Sequence, residues 1–202
     1  MRYMLAIPFA FVAVSMLGCG PSMPDVKRVD PTTQTDISGQ WNDTDSRLVA
    51  EQMITDVLVG QWLTDFAIKN VGKKPTLIVG TVRNRTLEHI SIATFVNDLQ
   101  LAIMNSGKAT FVASKEERDE VREERLDQGL NAREETRKDP GRETGADYML
   151  KGEINSSVDS AEGIAAIFYQ VNMTLIDLGT NEKVWMGEKK IKKVVERGAY
   201  SM

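Results

Sequence analysis

The stretch Ile164-Ala-Ala-Ile-Phe-Tyr-Gln-Val-Asn-Met-Thr-Leu-Ile-Asp177, then Leu178-Gly-Thr-Asn181, then Glu182-Lys-Val-Trp-Met-Gly-Glu-Lys-Lys-Ile-Lys-Lys-Val-Val195 decides the fold class. Its apolar residues run together or alternate every second position, as in a strand with one side on a core, and Leu178-Gly-Thr-Asn181 between the two runs is turn chemistry. Tyr148 to Ser157 has the same character, so three consecutive strands are predicted as an antiparallel meander. Further upstream the period changes. Thr76-Leu-Ile-Val-Gly-Thr-Val82 reads as a buried strand, and Arg83-Asn84-Arg85-Thr86 as a polar loop. A helix follows, with Ile92, Phe95, Val96, Leu99 and Ile103 on its apolar face and Asn105-Ser106-Gly107 as its stop. Ala109-Thr-Phe-Val-Ala113 is a short strand, which completes a β-α-β beginning.

Ahead of this unit, Leu48, Val49, Met53, Val57, Trp62 and Phe66 recur at helical spacing, and Asp43-Thr44-Asp45 offers a cap and an acidic first turn. One helix over residues 45 to 70 is predicted, ended by Gly72 and Pro75. Ser114-Lys-Glu-Glu117 has the spacing of a capping box and opens another helix. Between Lys115 and Glu143, 19 of 29 residues are charged, with Glu134 and Lys138 in favourable i, i+4 order, so the segment reads as a solvated helix face with a loop at Asp139-Pro140-Gly141. The fold class is α/β (α+β): a mixed sheet with helices packed on it, a β-α-β start and a C-terminal antiparallel meander.

The chain of 202 residues is one domain with appendages. Against 25 Lys+Arg stand 29 Asp+Glu, so no global positive field gathers nucleic acid, and no nucleic-acid partner is expected. One Cys and one His leave no disulfide and no Cys/His zinc site. There is no G-x-S-x-G, Gly-rich phosphate loop or H-E-x-x-H. His89 stands alone and reads as a capping or packed residue; Glu123, Glu124, Glu134 and Glu135 lie in the charge run and read as hydrated. Trp62 and Trp185 read as core, whereas Trp41, in a polar stretch, reads as a pin between tether and domain. No catalytic residue, cofactor, metal or small-molecule substrate is expected, and the chain reads as not an enzyme.

The lone thiol is placed distinctively. After Arg2 an uncharged apolar run from Tyr3 to Gly18 ends at Cys19, too short for the roughly 20 residues of a spanning helix. Met16-Leu17-Gly18-Cys19 resembles the bacterial lipobox, which implies cleavage between Gly18 and Cys19 and lipid attachment at Cys19, with acyl chains anchoring the protein stably to a membrane. By the sorting rule of such lipoproteins, Gly20 rather than Asp after the Cys implies the outer membrane, periplasmic side. Residues 1–18 are then a signal peptide, residues 19–42 a disordered tether rich in Pro, Ser, Thr and Asp, and residues 43–197 a single globular domain. The 25 residues from Cys19 to Asp43 reach about 80 to 90 Å when extended.

Four further motifs carry a family resemblance: Ser38-Gly-Gln-Trp41-Asn-Asp-Thr-Asp-Ser-Arg47-Leu-Val-Ala-Glu51, Val82-Arg-Asn-Arg-Thr86, Gly145-Ala-Asp-Tyr-Met-Leu-Lys-Gly152, and Met173-Thr-Leu-Ile-Asp-Leu178 with Lys183-Val-Trp185. Together they resemble the outer-membrane lipoprotein activators of penicillin-binding proteins, over about residues 30 to 195. The resemblance implies an accessory protein that docks on a class A penicillin-binding protein, a bifunctional peptidoglycan synthase, and raises its glycosyltransferase and transpeptidase rates in cell-wall synthesis. It assigns no partner-binding residue. The alternative reading is an assembly-factor lipoprotein of an outer-membrane secretion or surface-fibre system sharing the same domain.

Overall fold

Residues 26–196 are described by a computed structural model, in which the chain divides into two units, residues 1–33 and 34–202. In the described part of the first, the Asp30 carboxylate accepts both the amide (2.8 Å) and the hydroxyl (2.7 Å) of Thr32, and these bonds hold it below the usual carboxylate range.

The second unit runs α1 (Asp43–Leu58), α2 (Gln61–Lys69), β1 (Thr76–Asn84), α3 (Ile92–Asn105), β2 (Thr110–Phe111), α4 (Lys115–Asn131), β3 (Tyr148–Ala161), β4 (Ile164–Asp177) and β5 (Lys183–Glu196). Its five strands form one mixed sheet in the order β2-β1-β3-β4-β5. β1 lies parallel to β2 and β3, and β3, β4 and β5 form the antiparallel meander.

The single helix expected over residues 45 to 70 is two helices. Gly60 is extended (φ −62°, ψ 142°), and the Trp62 indole N–H bonds back to the Val57 carbonyl at 2.9 Å, replacing a partner the broken helix cannot supply. The break lets Trp62 and Phe66 meet Tyr148 edge to face, at 5.3 and 5.9 Å between ring centres. The cap of α1 is Asn42, one residue before the expected Asp43-Thr44-Asp45. Its side chain accepts the Asp45 amide, and Asp45 accepts the Asn42 amide in return.

Elsewhere boundaries shift. β1 runs through Asn84 into the expected loop, and β2 is shorter than predicted. Ser114 and Glu117 make the expected capping box, but α4 ends at Asn131, so Glu134 and Lys138 lie beyond it and do not form a helical pair. β3 continues past Ser157 to Ala161 because its partner β4 starts only at Ile164. The two residues between, Glu162 (φ 49°) and Gly163 (φ 83°), make the mirror-image turn that suits twisted strands.

The core forms where alternate residues of the sheet meet one face of the helices. Tyr148, Leu150 and Ile154 of β3 and Tyr169, Val171, Met173 and Leu175 of β4 are buried beside Val49, Met53 and Val57 of α1 and Phe95, Leu99 and Ile103 of α3. Each fully buried side chain of this kind contributes about 1.5 to 3 kcal/mol. Trp62 is buried as expected, and Trp185 is half-buried against the same core. α4 has no buried residue, in keeping with a solvated helix.

Candidate functional surface

Cys19 and Gly18, the expected lipidation and cleavage residues, lie outside the described residues. The tether's last residues, 36–42, are hydrogen-bonded into the domain. The Trp41 amide donates to Glu88 Oε2 at 2.8 Å, its indole N–H donates to Ser46 Oγ at 2.7 Å, and its ring meets Tyr169 edge to face at 5.4 Å. The Tyr169 hydroxyl, fully buried, donates to the other oxygen of Glu88. Burial, and next the Glu88 carboxylate, push that hydroxyl well above the ordinary tyrosine range.

A second fastening lies beside the first. Lys193 of β5 places its ammonium 2.6 Å from Asp45 Oδ2, 3.3 Å from Asp36 Oδ1 and 3.0 Å from the Gln40 carbonyl. Asp45 is only 3% exposed, so its charge is matched where water cannot reach it. Asp36 also accepts from Gln34 and Asn42, and these bonds, with Lys193, hold its carboxyl below the usual range. Gly39 is needed here, since a Cβ would lie 2.3 Å from Val195 Cγ2. The Trp41-Asn-Asp-Thr-Asp-Ser46 run is thus a fastening, in which Asn42 caps α1, Asp45 binds Lys193 and Ser46 receives Trp41.

The third feature is the segment Arg83 to Ile90. Asn84 Oδ1 accepts the amide (2.9 Å) and hydroxyl (2.8 Å) of Thr86, and Asn84 Nδ2 donates to the Glu88 carbonyl at 2.7 Å. The Glu88 amide donates to the Thr86 hydroxyl at 3.1 Å. The loop therefore has one backbone course, held at Asn84, Thr86 and Glu88. His89 is exposed in it and neither caps α3, whose first flanking residue is Ser91, nor packs in the core.

On the sheet face away from the helices, Arg83, Glu153, Asn172 and Glu188 fall in one row across the strands. Arg85 Nε pairs with Glu153 at 3.0 Å, and Glu188 is shared by Gln170 and Lys190, both at 2.6 Å. On α4, Arg122 grips Glu143 with two bonds of 2.9 Å and Arg125 adds one of 3.1 Å, which fastens the following loop to the helix. The bonds from Arg122 hold the Glu143 carboxyl below its usual range; Arg118, whose Nε is buried without a hydrogen-bond partner, adds to this by charge alone. Glu123, Glu124, Glu134 and Glu135 are all exposed. Among the described residues no group of three or more His, Cys, Asp or Glu could hold a metal, and no helix is long and apolar enough to cross a membrane.

Glu88, Tyr169 and Lys193 escape a reading of the sequence, because their role depends on partners 47, 81 and 148 positions away (193 − 45 = 148). A signal exists for Glu88: Asn84, Thr86 and Glu88 are polar residues at every second position, the spacing by which one side of an extended segment bonds to itself.

These features define the class of protein: a mixed-sheet α+β domain whose ordered polar groups fasten surface segments in place. The chain belongs to the peptidoglycan-synthase activator LpoB family, whose model matches residues 45–191, from α1 into β5. Among solved structures, the LpoB C-terminal domain from Salmonella enterica is 22% identical, with 68% of this chain and 95% of that chain covered and a TM-score of 0.33. LpoB of Escherichia coli is 16% identical, with 90% and 89% covered and a TM-score of 0.36. Lipoprotein GNA1162 from Neisseria meningitidis is 14% identical, with 62% and 88% covered and a TM-score of 0.36. No curated protein matches the chain.

Proposed function

We propose that this chain is a lipid-anchored activator of a class A penicillin-binding protein, held by acyl chains on Cys19 at the periplasmic side of the outer membrane. The observation that carries the reading is the family match over residues 45–191, which spans nearly the whole folded domain. Residues 1–18 serve as export signal, and the segment from Cys19 leads into the domain. Asp36 is bonded to the domain, and the 17 residues that separate it from Cys19 would reach roughly 60 Å if fully extended. The partner has to stand tall enough above the inner membrane to meet it.

Activation acts through equilibrium. An activator without chemistry of its own raises glycosyltransferase and transpeptidase rates only by binding the active conformation of the synthase more tightly than the inactive one. A docking surface suffices for this. The test is crosslinking in intact cells. A class A synthase is expected among the covalent adducts of the domain, and Cys19→Ser is expected to abolish them by releasing the protein from the membrane. Adducts confined to a secretion or fibre pore would contradict the reading.

A further inference from the structure

From Arg83 to Ile90 alternate residues differ in their bonding. Asn84, itself exposed, bonds with the half-buried Thr86 and Glu88, and Ile90 is buried. Arg83, Arg85, Leu87 and His89 are left on the outside, all exposed. Leu87, at 105%, is the most exposed large apolar side chain among the described residues. Single apolar residues on a surface are ordinary. This one differs in its support. Four local hydrogen bonds fix the backbone on both sides of it, and through Glu88 the same loop is bolted to Trp41 and Tyr169. A leucine so held has already lost the backbone freedom that binding would otherwise cost. Around it Arg83 and Arg85 supply two positive charges, and Glu153, across from Arg83 on β3, supplies one negative charge. Arg83 has no bonded partner among the described residues, and Arg85 has only the exposed Glu153.

We propose that Arg83, Arg85, Leu87 and His89 form a preformed docking ridge that inserts Leu87 into an apolar socket rimmed by carboxylates on the synthase. Charge complementarity selects the socket: a cationic ridge steers toward an acidic rim, while the leucine supplies the desolvated centre. The ridge also explains the fastening around it. Glu88 ties Trp41, within the segment fastened from Asp36 onward, to the ridge, so one carboxylate joins that segment and the ridge. This inference rests on the activator reading above, and its test separates the two.

The test compares the full chain, purified in mild detergent, with Leu87→Asp, Leu87→Met and Arg83→Glu, reading affinity for the class A synthase of the same cell and stimulation of glycan polymerisation. Leu87→Asp is expected to weaken binding roughly tenfold or more, with stimulation lost in step, while Leu87→Met keeps both. Arg83→Glu is expected to slow association several-fold and to flatten its salt dependence. Leu87 is exposed, so Leu87→Asp is expected to melt near the parent value; Arg83→Glu sets a carboxylate opposite Glu153 and is expected to melt slightly lower while staying folded, so it reads the ridge even if Leu87→Asp does not fold. Parent-like binding and stimulation by Leu87→Asp and Arg83→Glu would overturn the ridge and leave the activator reading standing. A parent chain that neither binds nor stimulates the synthase would overturn both. Capture on isolated cell-wall sacculi that falls with Arg83→Glu, while synthase binding does not, would also overturn the ridge.

Discussion

Glu88 spends both carboxylate oxygens on groups far apart in sequence, one on the Trp41 amide and one on the Tyr169 hydroxyl. Removing it strands the Trp41 amide and leaves the buried Tyr169 hydroxyl only the Gly39 carbonyl at 3.3 Å, at a cost of about 1 to 3 kcal/mol for an unsatisfied group. Glu88→Ala is therefore expected to lower stability by that amount in chemical denaturation and to speed hydrogen exchange at the Trp41 amide. The tyrosine adds a pH signature. Its folded pKa is raised above the ordinary 10.0, so its contribution is complete below about pH 10 and is lost as pH rises from there toward the folded value. Tyr148, raised mainly by burial, shares that direction. Melting temperatures are expected to fall above pH 10, and Tyr169→Phe to shrink that fall without removing it.

Elements separate what a one-dimensional pattern carries from what it lacks. The strands and α3 were legible because each has one face on the core, and the period of apolar residues reports that face directly. Leu48 and Trp62 fit one continuous helical stripe equally well, so the break at Gly60 could not be read from periodicity; it follows from the Trp62 indole reaching Val57 and from aromatic packing on Tyr148. The end of β3 was misread because Ser156 to Ala161 has little apolar content, and what makes it a strand is the ladder to β4. The start of α4 was legible from Ser114 and Glu117 because a capping box is local chemistry. Since α4 buries nothing, Ser114→Ala is expected to cost about 1 kcal/mol locally, seen as faster amide exchange at residues 115 to 118 with an unchanged global melting temperature.

The whole molecule reads as a fastened recognition domain. Its family was legible in the Trp41 and Asn84 motifs, and the structure supplies their physical content: the first fastens the incoming chain through Asn42, Asp45 and Ser46, and the second shapes the loop that holds Glu88. The docking ridge was not legible, because exposure at Leu87 is a property of the folded loop rather than of its composition. Lys193 escaped for a similar reason: it sits among the lysines of β5, and only the fold distinguishes the one that meets Asp45.

The most direct measurement is the initial rate of glycan chain polymerisation by the class A synthase of the same cell, reconstituted in detergent and titrated with the full chain. The account predicts a saturable rise in rate that follows complex formation and disappears for a synthase that does not bind the chain. An unchanged rate at saturating, demonstrably folded activator would contradict it.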